Sequence, residues 1–320
     1  MPIDFLPGSP ERFGAAWARG VSRRRFLEGL GWIGSVGATG FGALAVSGSA
    51  AGGGRVVRGR GVALLSDTHI DGDLGATAMG TNMASNLRAV LVDVLRMQGI
   101  GRVIVNGDCA YKVGLGTDYE AFTKLLQPVR DAGVPVHVTL GNHDDRDQFR
   151  RVVREGLVEG RVVMEKEFAA IGGGAVDWIV MDSCTKPVSE GRFGAGQLRW
   201  LRERLDANPT RPVVIVGHHN PREPSSKYPL EDTEEFFAII APRRQVKAYV
   251  FGHTHRWQIT LHESGLHLVN LPPTAYVFVA GRPNGWVHAQ ASETGMELQL
   301  RCVDGRHPQH GERVSLRWRT

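Results

Sequence analysis

Five short segments of this chain hold most of its chemically versatile side chains: Asp67-Thr68-His69, Asn106-Gly107-Asp108, Gly141-Asn142-His143-Asp144, Gly217-His218-His219 and Gly252-His253-Thr254-His255. Six of the twelve histidines lie in them. Carboxylates, an amide oxygen and imidazoles form a mixed donor set suited to borderline divalent or trivalent cations such as Zn, Mn, Fe and Co. Taken singly, each segment means little. A lone His after an apolar run is more often a hydrogen-bonded structural residue, and Gly-Asp is usually a turn. Five in one register carry weight together. The three cysteines, Cys109, Cys184 and Cys302, are scattered and odd in number, so they give neither a disulfide framework nor the paired spacing of a structural zinc site. Cys109 reads as a small packed residue beside Asp108.

The elements that must position these groups are legible in the apolar pattern. Buried strands are expected at 62–65, 103–105, 134–140, 176–181, 213–216 and 248–251; four of these runs end immediately before one of the segments above, and the first is separated from Asp67 by Ser66 alone. Helices are expected at 86–98, with Leu87, Val90, Leu91, Val94 and Leu95 on one face, at 119–130, and at 197–205, with Leu198, Leu201 and Leu205 in line. Strands alternating with helices of this length predict an α/β fold. Its C-terminal strand edge is where such sheets place ligands. After Trp257 the runs at 258–261, 267–271, 276–279, 286–290 and 297–302 are separated by Gly, Pro and Asn, and predict an antiparallel meander without helices. No fixed-period repeat is present, and residues 55–320 read as one domain.

The 320 residues, 42% hydrophobic and 22% charged, exclude a mainly disordered chain, a collagen-like repeat and a multi-span membrane protein. The net charge of +5 divides into +2 over residues 1–54 and +3 over the rest, with both signs mixed. No basic block alternates with aromatics, so a small anionic substrate fits and nucleic acid as main partner does not. Residues 1–54 read as a leader: Ser22-Arg23-Arg24-Arg25-Phe26-Leu27 precedes a Gly- and Ala-rich stretch with no charge after Glu28. Paired arginines followed by Phe-Leu resemble a twin-arginine signal, which predicts the twin-arginine export machinery as a partner and a periplasmic or extracytoplasmic location.

The five segments, in this order from 67 to 255, resemble the calcineurin-like metallophosphoesterase superfamily, whose pattern is Asp-x-His, Gly-Asp, Gly-Asn-His-Asp/Glu, His and Gly-His-x-His. Each block is weak; the ordered set is specific. The resemblance implies a four-layer α/β/β/α sandwich, two mixed sheets flanked by helices, with a centre of two metal ions at the sheet edge. By the same resemblance Asp67, His69 and His255 hold one metal ion, Asn142, His218 and His253 hold the other, and Asp108 bridges them. His143 is the catalytic residue, a proton donor or a stabiliser of developing charge. His218 is chosen over His219 because the family ligand follows the strand's Gly directly, leaving His219 near the substrate or behind a ligand. Asp144 and Arg146 are assigned to the surroundings of the site, Asp144 as a candidate for orienting His143.

Two cations about 3.5–4 Å apart clamp the attacking and leaving oxygens of an in-line displacement, and a hydroxide bridging them is the expected nucleophile. The predicted function is therefore hydrolysis of phosphodiester, or also phosphomonoester, bonds. No Gly-x-Ser-x-Gly elbow or His-Glu-x-x-His helix supports a serine nucleophile or a zinc protease. Asn142 to Arg146 and the helix with Gln197, Leu198 and Trp200 look like the branch holding class III cyclic-nucleotide phosphodiesterases and glycerophosphodiesterases. That branch often has His-His-Pro-Pro where this chain has His218-His219-Asn220-Pro221. Tyr111 matches the spacing of the iron-binding tyrosine in purple acid phosphatases. Those enzymes have Gly where this chain has His69, so Tyr111 is expected to pack or to support the site. A purple-acid-phosphatase-like phosphomonoesterase, a non-catalytic metal-stabilised scaffold and a nuclease are the competing readings. Residues 221–233 are expected to rim the pocket.

Overall fold

Successive residues of the first strand, Gly61–Ser66 (β1), serve two different cores, and that alternation sets the layering. Val62 and Leu64 face one cluster of buried apolar side chains while Ala63 and Leu65 face another, as the two-residue period of a strand requires. The computed structural model describes residues 60–153, 161–163, 166–172 and 174–320. The leader read at residues 1–54 lies outside the described residues.

After β1 come a small hairpin, β2 (Thr77–Ala78) and β3 (Thr81–Asn82), the helix α1 (Met83–Arg96), β4 (Ile100–Asn106), α2 (Gly116–Asp131), β5 (Val136–Thr139) and the short α3 (Arg146–Val152). A hairpin of β6 (Arg161–Val163) and β7 (Lys166–Ile171) precedes β8 (Asp177–Met181), α4 (Gly194–Asp206), β9 (Val213–Val216), α5 (Thr233–Ile240) and β10 (Val246–Phe251). The chain closes with β11 (Gln258–Leu261), β12 (His267–Asn270), β13 (Gly285–Ala291), β14 (Gly295–Cys302) and β15 (Arg313–Arg317). One sheet runs β15-β14-β13-β1-β4-β5 and the other β11-β12-β10-β9-β8-β7-β6. Within them β1-β4-β5 and β8-β9-β10-β12 are parallel.

Helices α1 and α2 pack Leu87, Val90, Leu91, Val94, Phe122 and Leu126 against Ala63, Leu65, Val103 and Val105. Between the sheets, Val62, Leu64 and Ile104 meet Val180, Val214, Val216 and Val250. On the far side Ile179, Ile215 and Tyr249 pack against Leu201, Leu205, Phe236 and Ile240 of α4 and α5. The order helix, sheet, sheet, helix is the expected four-layer sandwich. Helix α1 begins where Asn82 accepts from the Ser85 N–H at 2.7 Å, which satisfies a backbone donor the helix itself cannot.

Two expectations need correction. The runs after Trp257 are not one meander: β11 and β12 extend the second sheet, β12 lying parallel to β10, while β13, β14 and β15 complete the first. Residues 276–279 are not a strand. The Tyr276 carbonyl accepts instead from His255 Nδ1 at 2.6 Å, and the segment leaves the sheet at the edge of the site. The β6–β7 hairpin and the helices α3 and α5, short elements with little periodic signal, were not anticipated.

Candidate metal centre

The loops following β1, β4, β5, β9 and β10 meet at one edge, because those strands are parallel within their sheets and the two sheets lie face to face. They bring together residues as far apart as Asp67 and His255. One group is Asp67, His69 and His255, a second is Asp108, His218 and His253, and His69, Asp108 and His143 form a third that joins them; within each, a ligand atom of every residue lies within 4.8 Å of the others. Asn142 belongs beside the second group, its Oδ1 being 2.9 Å from His253 Nδ1.

Close approach governs the backbone here. Asp67, His69, Asp108, His253 and His255 all have positive φ, between 46° and 67°, a conformation that costs non-glycine residues energy and concentrates at functional sites. A Cβ on Gly252 would lie 1.9 Å from Ser66 Oγ and 2.6 Å from Asp67 Oδ2, and one on Gly141 would lie 2.2 Å from Asp108 Oδ1. Only glycine lets the loops carrying His253 and Asn142 sit this near the carboxylates.

Carbonyl groups fix the imidazole tautomers. His218 Nδ1 donates to the Asn106 carbonyl at 2.9 Å, and His255 Nδ1 donates to that of Tyr276. His253 Nε2 donates to the Lys227 carbonyl at 3.3 Å. Since a carbonyl only accepts, the other nitrogen of each neutral ring carries a lone pair. In the neutral rings two of those lone pairs point at further acceptors, His218 Nε2 lying 3.3 Å from Asp108 Oδ2 and His253 Nδ1 facing Asn142 Oδ1, while His255 Nε2 lies 3.0 Å from His69 Nε2 and 3.4 Å from Asp67 Oδ1. His218 Nε2 is buried without a hydrogen-bond partner. Acceptors converging on acceptors are unfavourable unless positive charge sits among them. The donor set therefore fits metal cations, and His218, His253 and His255 each have the outer hydrogen bond that a metal-ligating histidine usually makes, whereas His69 Nδ1 is buried without one.

The electrostatics agree. Asp67 and Asp108 are fully buried, and burial opposes their ionisation. The neighbouring histidines outweigh it: His255 for Asp67 and His218 for Asp108 hold both carboxylates well below their ordinary range. His218, despite a burial effect in the opposite direction, is raised to about 10 by Asp108 and Asp67. Burial, with smaller repulsion from nearby imidazoles, pulls His69 down to about 3 and His253 down to about 4. Without a cation the carboxylates take their countercharge from His218.

The remaining sequence-derived residues fall around this cluster. His143 stands edge-on to His69, ring centroids 5.0 Å apart, and its backbone N–H donates to Asp108 Oδ1 at 2.9 Å. His219 is turned away: its Nδ1 is 2.7 Å from Ser183 Oγ and its Nε2 is 3.1 Å from the Ser189 carbonyl, so both nitrogens are engaged behind His218 and His253. Asp144 braces loops rather than the His143 ring. It accepts from the N–H groups of Cys109, Ala110 and Gly141 and from the Tyr119 hydroxyl. Arg146 reaches Asp182 and the Cys184 carbonyl. Tyr111 packs against the first core cluster with the Lys112 ammonium 4.9 Å above its ring. Cys109 is buried in that same core, as expected.

Sequence reasoning missed a sixth strand end, Asp182-Ser183 after β8, which holds Arg146 and His219. Its signal, an apolar run stopping at Asp-Ser, was present but lacked a metal-ligating pattern. Also missed were Ser66, whose Oγ is 2.5 Å from Asp67 Oδ2, and Tyr276, whose ring stacks on His69 at 5.0 Å.

The four-layer sandwich thus carries at its strand edge a cluster of Asp and His side chains that could hold metal ions. A model of the calcineurin-like phosphoesterase family matches residues 61–257, more than half of the chain, and the chain belongs to that family. It is similar to the 3′,5′-cyclic adenosine monophosphate phosphodiesterase CpdA of Pseudomonas aeruginosa, 27% identical over 222 residues, covering 68% of this chain and 77% of that one. It is similar also to a probable cyclic nucleotide phosphodiesterase of Synechococcus sp., 27% identical over 76% of this chain and 92% of the relative. Among solved structures, a dimetal phosphatase from Danio rerio shares the fold with a TM-score of 0.59 at 14% identity, covering 81% of this chain and 99% of that one. A purple acid phosphatase from yellow lupin shares it at 0.57 and 14%, covering 81% and 53%.

Proposed function

We propose that this protein is a phosphoesterase using two metal ions to hydrolyse phosphodiesters, cyclic nucleotides among them, in the cleft above the clustered side chains. The observation that carries the reading is the pair of triads, Asp67/His69/His255 and Asp108/His218/His253, whose ligand atoms lie within 4.8 Å of one another in each group. Asp67, His69 and His255 would hold one ion and Asn142, His218 and His253 the other, with the two oxygens of Asp108 shared. Bound there, Mn, Fe, Zn or Co ions would supply Lewis acidity toward phosphoryl oxygens and lower the pKa of a water. Neutral Asn142 adds an oxygen ligand without charge, so the site keeps positive potential for an anionic ester.

The cleft encloses about 730 Å³, with Lys227 and Arg256 on its lining to attract that anion. His143, also on the lining, stands beside His69 to protonate the departing oxygen or to stabilise charge on it. The loop at 221–228 contributes Pro221, Glu223, Ser226, Lys227 and Tyr228 to the rim. Engagement of Tyr111 with the core and Lys112 gives the purple-acid-phosphatase reading no support from this chain.

Assays with bis(p-nitrophenyl) phosphate and with 3′,5′-cyclic adenosine monophosphate, with and without manganese, test the reading. His143→Ala is expected to keep its metal and lose about 10²–10⁴-fold in kcat. Unchanged turnover in an Asp108→Ala/His143→Ala double variant would end it. Export by the twin-arginine route belongs to the same proposal, supported by Ser22 to Leu27. Replacing Arg23, Arg24 and Arg25 with Lys keeps the charge and is expected to leave the protein in the cytoplasm; continued export of that variant refutes the route.

A further inference from the structure

Residues 276–279, Tyr-Val-Phe-Val, have strong strand propensity yet form no ladder. They are held at the cleft by other bonds. The Tyr276 carbonyl is taken by His255, the Arg282 N–H donates to the Val279 carbonyl at 3.3 Å, and the Gly281 carbonyl accepts from His307 Nε2 at 3.1 Å. The result is a bulky aromatic side chain left 58% exposed on the cleft wall, that of Phe278. Its inner face lies on the His255 imidazole, centroids 4.2 Å apart and planes 22° from parallel, and Tyr276 stands 6.0 Å away at 65°. Two rings thus hold it, and among the described residues none stacks on its outer face.

We propose that the outer face of Phe278 is a stacking platform for a planar aromatic group of the substrate, which makes Phe278 a specificity-determining residue of the cleft. The inference rests on the phosphoesterase reading above. An anchored ring loses little conformational entropy on binding, and a π-face accepts any flat ring irrespective of its polar edge. Because Phe278 covers His255, a proposed metal ligand, a ring on its outer face is one imidazole and one phenyl away from the phosphoryl group. Gln258 and Thr260, exposed on the same lining, offer donors and acceptors to ring heteroatoms. An aliphatic ester group gains contact there but no stacking.

The shared chemistry, an aromatic ring on a phosphate ester, arises from a nucleobase or from an aryl ester, and paired probes separate them. Calorimetric titration of the metal-loaded protein would compare adenosine 5′-monophosphate with ribose 5-phosphate, and phenyl phosphate with methyl phosphate. The ring-bearing member of at least one pair is expected to bind about tenfold tighter. That preference should collapse in Phe278→Ala and persist in Phe278→Trp. A preference confined to the first pair assigns the platform to a nucleobase, and one confined to the second to an aryl ester. Equal affinities within both pairs, or a preference surviving in Phe278→Ala, overturn the platform. Turnover of bis(p-nitrophenyl) phosphate, followed in parallel, keeps the two claims apart. Its absence removes the phosphoesterase reading while the binding ratios still judge Phe278; turnover without ring preference removes the platform alone.

Discussion

The Tyr119 hydroxyl on α2 donates to Asp144 Oδ1 at 3.1 Å and accepts from the Asp145 backbone N–H at 2.6 Å. Through that single oxygen the helix is tied to the loop carrying Asn142 and His143, and Asp144 in turn ties this loop to the one carrying Asp108.

Tyr119→Phe removes a buried donor and strands the Asp145 N–H, so a loss of about 1–2 kcal/mol in unfolding free energy is expected by urea denaturation. Asp144→Asn turns an amide NH₂ toward backbone donors and should cost about 2–3 kcal/mol, with weaker metal binding, because two ligand loops lose their common brace. A variant with wild-type stability and metal content would show that the brace is dispensable.

Metal removal provides a second test. If the inward lone pairs and carboxylates bind cations only when the site is folded, stripping with a chelator should lower stability, by about 4 kcal/mol relative to protein held at a thousandfold excess over Kd. Mass spectrometry of the loaded protein should find two equivalents. In Asp108→Asn the stabilising effect of added manganese should shrink sharply. A melting temperature indifferent to metal in the wild type contradicts the assigned ligand set.

Away from the site, Asp93 on α1 accepts from Trp286 Nε1 at 3.0 Å and pairs with Arg301 through both of its oxygens. Burial favours its neutral form, but Arg301 and then Trp286 outweigh it and lower the pKa below 3.8. A carboxylate with a depressed folded-state pKa stabilises the fold above its unfolded pKa and loses that contribution as pH falls through the folded value. Asp93→Asn should therefore be less stable by about 1–2 kcal/mol at neutral pH. The gap to the wild type should begin to narrow below about pH 4. A gap that widens on acidification would reverse the assigned sign.

Near the C-terminal end, Arg319 spends its guanidinium on the carbonyls of Ile240, Ala241, Arg243, Val246 and Ser264 and on the Ser264 hydroxyl. Three of these carbonyls belong to the last residue of α5 and the turn after it, where unpaired carbonyl groups accumulate. Arg319→Ala should cost about 2–4 kcal/mol. Arg319→Lys should recover only part, since three donors on a point charge do not reproduce a planar fork of five. Denaturant midpoints for the two variants decide it: a lysine variant as stable as the wild type would mean that charge alone suffices.

The legible features were those with a local cause. An apolar run ending in Asp, Asn or His shows a strand edge and its reactive side chains together, so β1, β4, β5, β9 and β10 and their loops could be read in order, as could the buried face of α1. His219 shows where locality fails. It and His218 are adjacent in the chain and alike in type, yet the inward lone pair of one and the engaged nitrogens of the other depend on Asn106, Ser183 and Ser189, from 30 to 112 residues away. Residues 276–279 show it again, since their propensity for a strand lost to a hydrogen bond with His255.

By itself the chain order determined which residues could meet: polar groups at the ends of hydrophobic strands must gather where parallel strands end, because burial leaves them no other place. Tertiary structure alone decided how they meet. A ring's tautomer, an aspartate's partner and the direction of an aromatic face are each set by backbone groups distant in sequence, which come within hydrogen-bonding reach only after the two sheets have packed.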